Sequence, residues 1–209
     1  MPSLRRFLLS LLASMLLAFT AATVRADVIT FDNDPQGPQA QPFQSVDSVL
    51  VRFSTSSNFS SLDVHNFQAV SNNTNALFVP GSVADVLVID FSTLVNSLSL
   101  DFGFDLPSDP QTTATLTVFL NGVQVGQTVM LANQNGLVDQ TIVFSGAMFN
   151  QATFSVALPS NPACCSAELV DNVTFTPVAD TAVPEPATIT LLGLGLAGVA
   201  AKARKRRNQ

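Results

Sequence analysis

The chain contains no tryptophan and no tyrosine, a single histidine and two cysteines. Its only lysines, Lys202 and Lys205, stand near the C-terminal end. Each shortage narrows the function. Without Trp and Tyr there are no amphipathic rings of the kind that serve as sugar platforms. One histidine, His65, brings no partner with which to build a Ser-His-Asp arrangement, and neither an HExxH pair nor a phosphate loop occurs. Between Asp27 and Ala182, Arg52 is the sole basic residue against thirteen aspartates and Glu168, a formal charge of −13. A body of that sign repels phosphate backbones, so nucleic acid is excluded as a partner. The same charge attracts divalent cations and favours solubility.

What is present is apolar at both ends and β-forming between them. Arg5 and Arg6 precede a Leu-rich run, Phe7 to Phe19, and Val24-Arg25-Ala26 closes it with a small residue. This pattern predicts a secretory signal peptide over 1–26, cut before Asp27. At the other end, Val183-Pro184-Glu185-Pro186 leads into an uncharged segment, Ala187 to Ala201, and then the basic cluster Lys202, Arg204, Lys205, Arg206 and Arg207. Prolines cannot continue a helix or a central strand, so the folded body ends before them. The division expected is a body over 27–178, a linker over 179–186, a single transmembrane helix over 187–203 and a basic cytoplasmic tail over 204–209. The apolar stretch reaches only about 22 Å as a helix against a hydrocarbon core of about 30 Å. A short, glycine-rich span behind a proline motif suits a processing signal better than a permanent anchor.

Val183 to Arg207 closely resembles the PEP-CTERM sorting signal of bacterial exported proteins. The Pro-Glu-Pro triad, Ala187-Thr188, the Leu/Gly-rich span and the terminal Arg/Lys run occur in that order. The resemblance implies a precursor held in the inner membrane and recognised by an exosortase, a membrane protease-like enzyme. It further implies cleavage near Pro184-Glu185-Pro186 and release or transfer to the cell surface.

The body reads as all-β. Val, Ile, Thr, Phe and Ser dominate it, and these suit pleated surfaces. Strands are expected at Asp27–Asp32, Val46–Phe53, Val64–Phe67, Ala76–Val79, Asp85–Phe91, from Val95 to Phe104, on both sides of Asn121-Gly122, and at Leu137–Phe144, Gln151–Leu158 and Glu168–Thr176. Asn121-Gly122 predicts a two-residue type I′ hairpin pairing Leu120 with Val123, Val118 with Val125 and Ala114 with Val129. Nine or ten short strands at such spacing indicate an antiparallel β-sandwich, jelly-roll-like. Ile29-Thr30-Phe31-Asp32, Ser99-Leu100-Asp101-Phe102-Gly103 and Val170-Asp171-Asn172-Val173-Thr174-Phe175 resemble pieces of the jelly-roll domains that accompany this tail. In related carbohydrate-binding jelly rolls, first and last strands lie side by side and their acidic residues can hold a structural calcium.

Asp32 and Asp171 are the candidate calcium ligands on that ground, with Asp34 and Asn172 within reach of the same place. Calcium takes six to eight oxygens, and only these two carboxylates are named. For Cys164-Cys165 three outcomes compete, a strained vicinal disulfide, a link to another molecule or two thiols, and the vicinal disulfide is the one expected. The Thr113, Thr115, Thr117 row suits a solvent-facing strand and, as an alternative, an ice-binding face. No catalytic residue is assigned. The function expected is that of an exported, non-enzymatic surface or matrix protein, with exopolysaccharide as a candidate associate. The alternatives are a carbohydrate-active enzyme using an aspartate pair or a glycan-binding module.

Overall fold

The computed structural model describes residues 25–57, 61–80, 86–104, 111–133, 135–157 and 168–178. Of the expected signal peptide only Arg25 and Ala26 fall within these; Cys164, Cys165, Val183–Pro186, the expected transmembrane segment and the Lys202–Arg207 cluster lie outside. Among the described residues no helix is long and apolar enough to cross a membrane.

The body is all-β. Its strands are β1 (Asp27–Ile29), β2 (Gly37–Gln39), β3 (Val51–Thr55), β4 (Leu62–Asn66), β5 (Asn75–Val79), β6 (Leu87–Phe104), β7 (Thr113–Leu120), β8 (Val123–Leu131), β9 (Gln140–Ala157) and β10 (Glu168–Pro177). The one helical turn among the described residues is a 3-10 turn over Gln68–Ser71. The hydrogen-bonded order is β2-β4-β5-β10-β6-β9-β7-β8, with β1 added to β10 and β3 to β6. Every pairing is antiparallel.

Two pairs of expected strands prove continuous. Asp85–Phe91 and the alternation after Val95 merge into β6, and Leu137–Phe144 and Gln151–Leu158 merge into β9. Each 18-residue strand changes register midway, with shifts between Asp90 and Val95 and between Val95 and Ser97. Such irregularities bend a strand and increase its twist. The sheet folds over at this bend. One half carries β3, Leu87–Phe91, Gln151–Ala157, β7 and β8; the other carries the remaining strands with Val95–Phe104 and Gln140–Phe149. The halves face each other across the core: the Phe102 and Phe154 rings, one from each half, lie 5.2 Å apart. Phenylalanine supplies the bulk that Trp and Tyr do not. Phe31, Phe53, Phe102, Phe149, Phe154 and Phe175 are all fully buried.

Two glycines are set by close approach. A Cβ at Gly103 would lie 2.6 Å from the Leu137 carbonyl oxygen, a backbone atom that cannot swing aside. Gly103→Ala is therefore expected to lose about 1–3 kcal/mol. A lower denaturant midpoint at unchanged slope is the measurement that checks it. A Cβ at Gly126 would come within 2.2 Å of the Phe144 ring. That contact explains a correction to the hairpin. Asn121 and Gly122 have φ of 51° and 81°, and Leu120 pairs with Val123 as expected. Beyond Gln124 the register shifts, so Val118 faces Gly126 and Ala114 faces Met130, not Val125 and Val129. The extra residue turns Val129 and Leu131 outward beside Thr115 and Thr113, 54% and 64% exposed.

A left-handed residue shortens one other expected strand and side-chain hydrogen bonds shorten a second. Phe31 has φ of 59°, which ends β1 at Ile29 while its ring enters the core. The stretch before Val51 is a turn held by carboxylates: the Val46 N–H donates to Asp34 Oδ1 at 2.8 Å and the Thr30 N–H to Asp47 Oδ2 at 3.0 Å.

Candidate functional site

β1 lies against β10, with Ile29 opposite Val173, so the first and last strands are neighbours. This adjacency carries Asp32, just past β1, towards Asp171 in β10. In β10 the register breaks between Asp171 and Thr174, and Asn172 takes a left-handed φ of 48°. The bulge buries Asp171 to 4% exposure and leaves Asn172 outside. It also sets Asp171 directly across from Asp101 of β6.

Three carboxylates thus share one neighbourhood, each held by donors. Asp171 Oδ1 accepts from the Asn172 N–H at 2.7 Å, and its Oδ2 from the Thr74 hydroxyl at 3.1 Å. Asp32 Oδ1 accepts from the Asn75 N–H at 2.9 Å. Asp101 accepts from the Thr141 hydroxyl at 2.5 Å and from Asn172 Nδ2 at 2.9 Å. The Thr74 hydroxyl also reaches the Ser71 carbonyl, so one proton serves two acceptors. Burial, and then the charges of Asp32 and Asp101, push the Asp171 carboxyl up to about 6 despite the bonds from Asn172 and Thr74.

Asp32 lies near enough for its charge to act on Asp171, and Asn172 bonds Asp101 beside them. Asp34 does not join them; it turns inward to Ser45, whose hydroxyl donates to Asp34 Oδ2 at 2.6 Å. Asp101 was legible only as an outward position in an alternating strand, with nothing to place it opposite Asp171. Among the described residues no group of three His, Cys, Asp or Glu side chains is arranged to hold a metal. His65 sits exposed on β4 with its ring 5.4 Å from that of Phe67.

Glu168 opens β10 at the far end of the fold. It is 3% exposed; Oε1 accepts from the Val156 N–H at 2.5 Å, and Oε2 is buried with no hydrogen-bond partner. Burial drives its carboxyl up to about 8. A group so enclosed is not positioned to touch a polymer.

Thr113, Thr115 and Thr117 of β7 face Leu131, Val129 and Gln127 on one side and Ala157, Ser155 and Thr153 on the other. The face is uncharged, but mixed with exposed aliphatic residues by the register shift in β8.

No curated protein matches the chain. Among solved structures it is similar to an arabinose-bound α-L-arabinofuranosidase, at 17% identity and a TM-score of 0.48, over 76% of this chain and 27% of that one. It therefore spans about a quarter of the arabinofuranosidase. A DUF4465 family protein from Bacteroides caccae aligns over 74% of this chain and all of its own, at 13% identity and a TM-score of 0.46. A carbohydrate-binding module of AlyQ, in complex with 4,5-unsaturated mannuronic acid, aligns over 60% of this chain and 94% of its own, at 12% identity and a TM-score of 0.35. At the C-terminal end residues 182–207 match the PEP-CTERM protein-sorting motif. The chain thus couples an all-β body to a PEP-CTERM sorting tail, which marks it as an exported protein with a membrane-anchored precursor.

Proposed function

We propose that the mature protein is a non-enzymatic component of the cell surface or extracellular matrix, associated with exopolysaccharide. The body is read as a jelly roll. The sorting motif at 182–207 is the observation that carries this reading. An exosortase is the expected processing partner, acting near Pro184-Glu185-Pro186 after a signal peptidase has cut before Asp27. Replacing Pro184, Glu185 and Pro186 together by alanine should leave residues 187–209 on the exported protein, and mass spectrometry of surface and medium fractions reads the difference. Mature wild-type protein that still carries Leu191 to Arg207 refutes processing.

The enzymatic alternative needs an accessible aspartate pair. Among the described residues Asp101 and Asp171 form a directly opposed pair, but Asp171 is buried and both its oxygens are bonded. Wild type and Asp101→Asn should therefore be equally inert on a panel of polysaccharides. Hydrolysis abolished by that substitution would make the protein an enzyme.

Calcium at Asp32 and Asp171 is a separate proposal for the same body. A divalent ion would offset the repulsion that the Asp32 and Asp101 charges exert on the buried Asp171. A ligand that binds only the native state raises the melting temperature as it is added. Calcium should do so for wild type and not for Asp171→Asn. Identical melting curves in calcium and in chelator end this reading.

A further inference from the structure

Both termini of the body leave from one end of the fold. Asp27 pairs with Phe175, Pro177 pairs with Val95, and the Val178 N–H donates to the Leu94 carbonyl at 2.7 Å. The bend of β6 and β9 and the Asn121-Gly122 turn lie at the same end. The Ser92 N–H bonds the Leu50 carbonyl at 2.8 Å, and the Asn121 N–H bonds Asn150 Oδ1 at 2.9 Å. Asp27, Val28, Leu50 and Pro177 line a cleft at this end, which Arg25 and Ala26 complete only until the signal peptide is removed.

Among the described residues, five of the ten exposed large hydrophobic side chains lie at this end. Val28, Val49, Leu94, Val123 and Met148 are 47%, 77%, 39%, 67% and 48% exposed. Among the described residues, the carboxylates nearest it are tied down. Asp27 accepts from the Ser48 hydroxyl, Asp47 from Thr30 and Asn33, and Asp90 from Gln151 while facing Arg52 across the strands. Asp63, Asp139 and Glu168 belong to the opposite end, with the far limits of β4, β9 and β10.

We propose that this end of the body rests on the lipid surface of the membrane that holds the precursor. The proposal depends on the anchored-precursor reading of the sorting tail. Eight linker residues, 179–186, separate Val178 from the apolar segment, a reach of at most about 28 Å when extended. A tether of that length holds the body at a high effective concentration next to the bilayer, so a weak contact suffices. Charge selects the orientation. A body of −13 is repelled by anionic headgroups, and it approaches them at least cost with the end whose described carboxylates are few and bonded. The opposite end, with Leu131 and Asp139, then faces outward.

The anchored precursor from Asp27 to Gln209, carrying photoreactive benzoylphenylalanine in place of Val49, Val123 or Leu131, can be placed in vesicles of phosphatidylethanolamine and phosphatidylglycerol. Leu131 is as exposed and as apolar as Val123, at 64% and 67%, but sits at the other end. Flotation with the vesicles is read first. A precursor that does not float has no anchor, and both readings fall. For a floating precursor, irradiation should give several-fold more lipid adduct at 49 and 123 than at 131. Equal adduct at the three positions, or a protein dimer instead of a lipid adduct at 49 and 123, overturns the proposal.

Discussion

Phe154→Ala is expected to cost about 3–5 kcal/mol, a large share of the roughly 5–15 kcal/mol that holds a domain of this kind folded. Phe154 is fully buried in the second limb of β9, between Leu87 of β6 and Leu116 of β7. Its ring crosses the core to Phe102 at 5.2 Å. Truncation removes one of the rings that link the two halves of the folded sheet, and an aliphatic neighbour cannot fill the space without shifting a strand. Urea denaturation of the mature protein reads the loss. A cycle with Phe102→Leu should show a coupling of about 0.5–1.5 kcal/mol, the part due to the ring pair itself. Additive losses would mean that the halves do not meet at these rings.

Stability should fall as the pH rises from about 4 to 8, with the upper half of the slope set by Glu168. Its carboxyl is raised by burial from the ordinary 4.5 to about 8. Asp171 is raised, first by burial, from 3.8 to about 6. For both, the folded state holds its proton where the unfolded chain has lost it. Protonation therefore favours folding. The contribution is complete below the unfolded value and is lost as the pH climbs through the folded one. Glu168→Gln keeps the shape and the acceptor for the Val156 N–H and removes the titration. It should flatten the melting temperature between pH 6 and 8 while leaving the acid-side slope that Asp171 contributes. An unchanged profile in this variant would show that Glu168 ionises freely in the fold.

The local chemistry of this chain was more legible than its bends. Alternation from Leu98 to Phe102 correctly separated buried from outward side chains, and Asn121-Gly122 correctly located a turn, because both depend on neighbours in sequence. The register shift after Gln124 was not legible. It follows from the Phe144 ring lying over Gly126, a contact between residues eighteen positions apart. The merging of strands into β6 and β9 was hidden for a related reason. Phe91 and Val95 are both buried on either side of the bend, while Ser92, Leu94 and Asn96 between and beside them are exposed. Polar or irregular positions of that kind read as a loop in sequence, although the chain passes through them into the facing half of the sheet. The Asp32–Asp171 neighbourhood came from a resemblance, and its third member, Asp101, needed the actual strand pairing. Glu168 looked like an ordinary start to a strand; only the fold shows that its side chain points inward to the Val156 N–H.

The position of β10 has a consequence for how the protein is made. The last strand of the body does not join an edge; it inserts between β5 and β6 and carries β1 along its second half. Until residues 168–177 have crossed the membrane, β5 and β6 present bare edges to any other chain nearby. Pairing Asp27 with Phe175 closes nearly the whole length of the body, the kind of long-range contact that makes folding slow. Completion therefore waits for the end of translocation. Because the sorting motif follows β10 in the chain, any polypeptide that presents the motif to its processing enzyme already includes the strand needed to close the sheet. A chain cut short before Glu168 lacks both, so an unfinished product is neither foldable nor addressed to the surface.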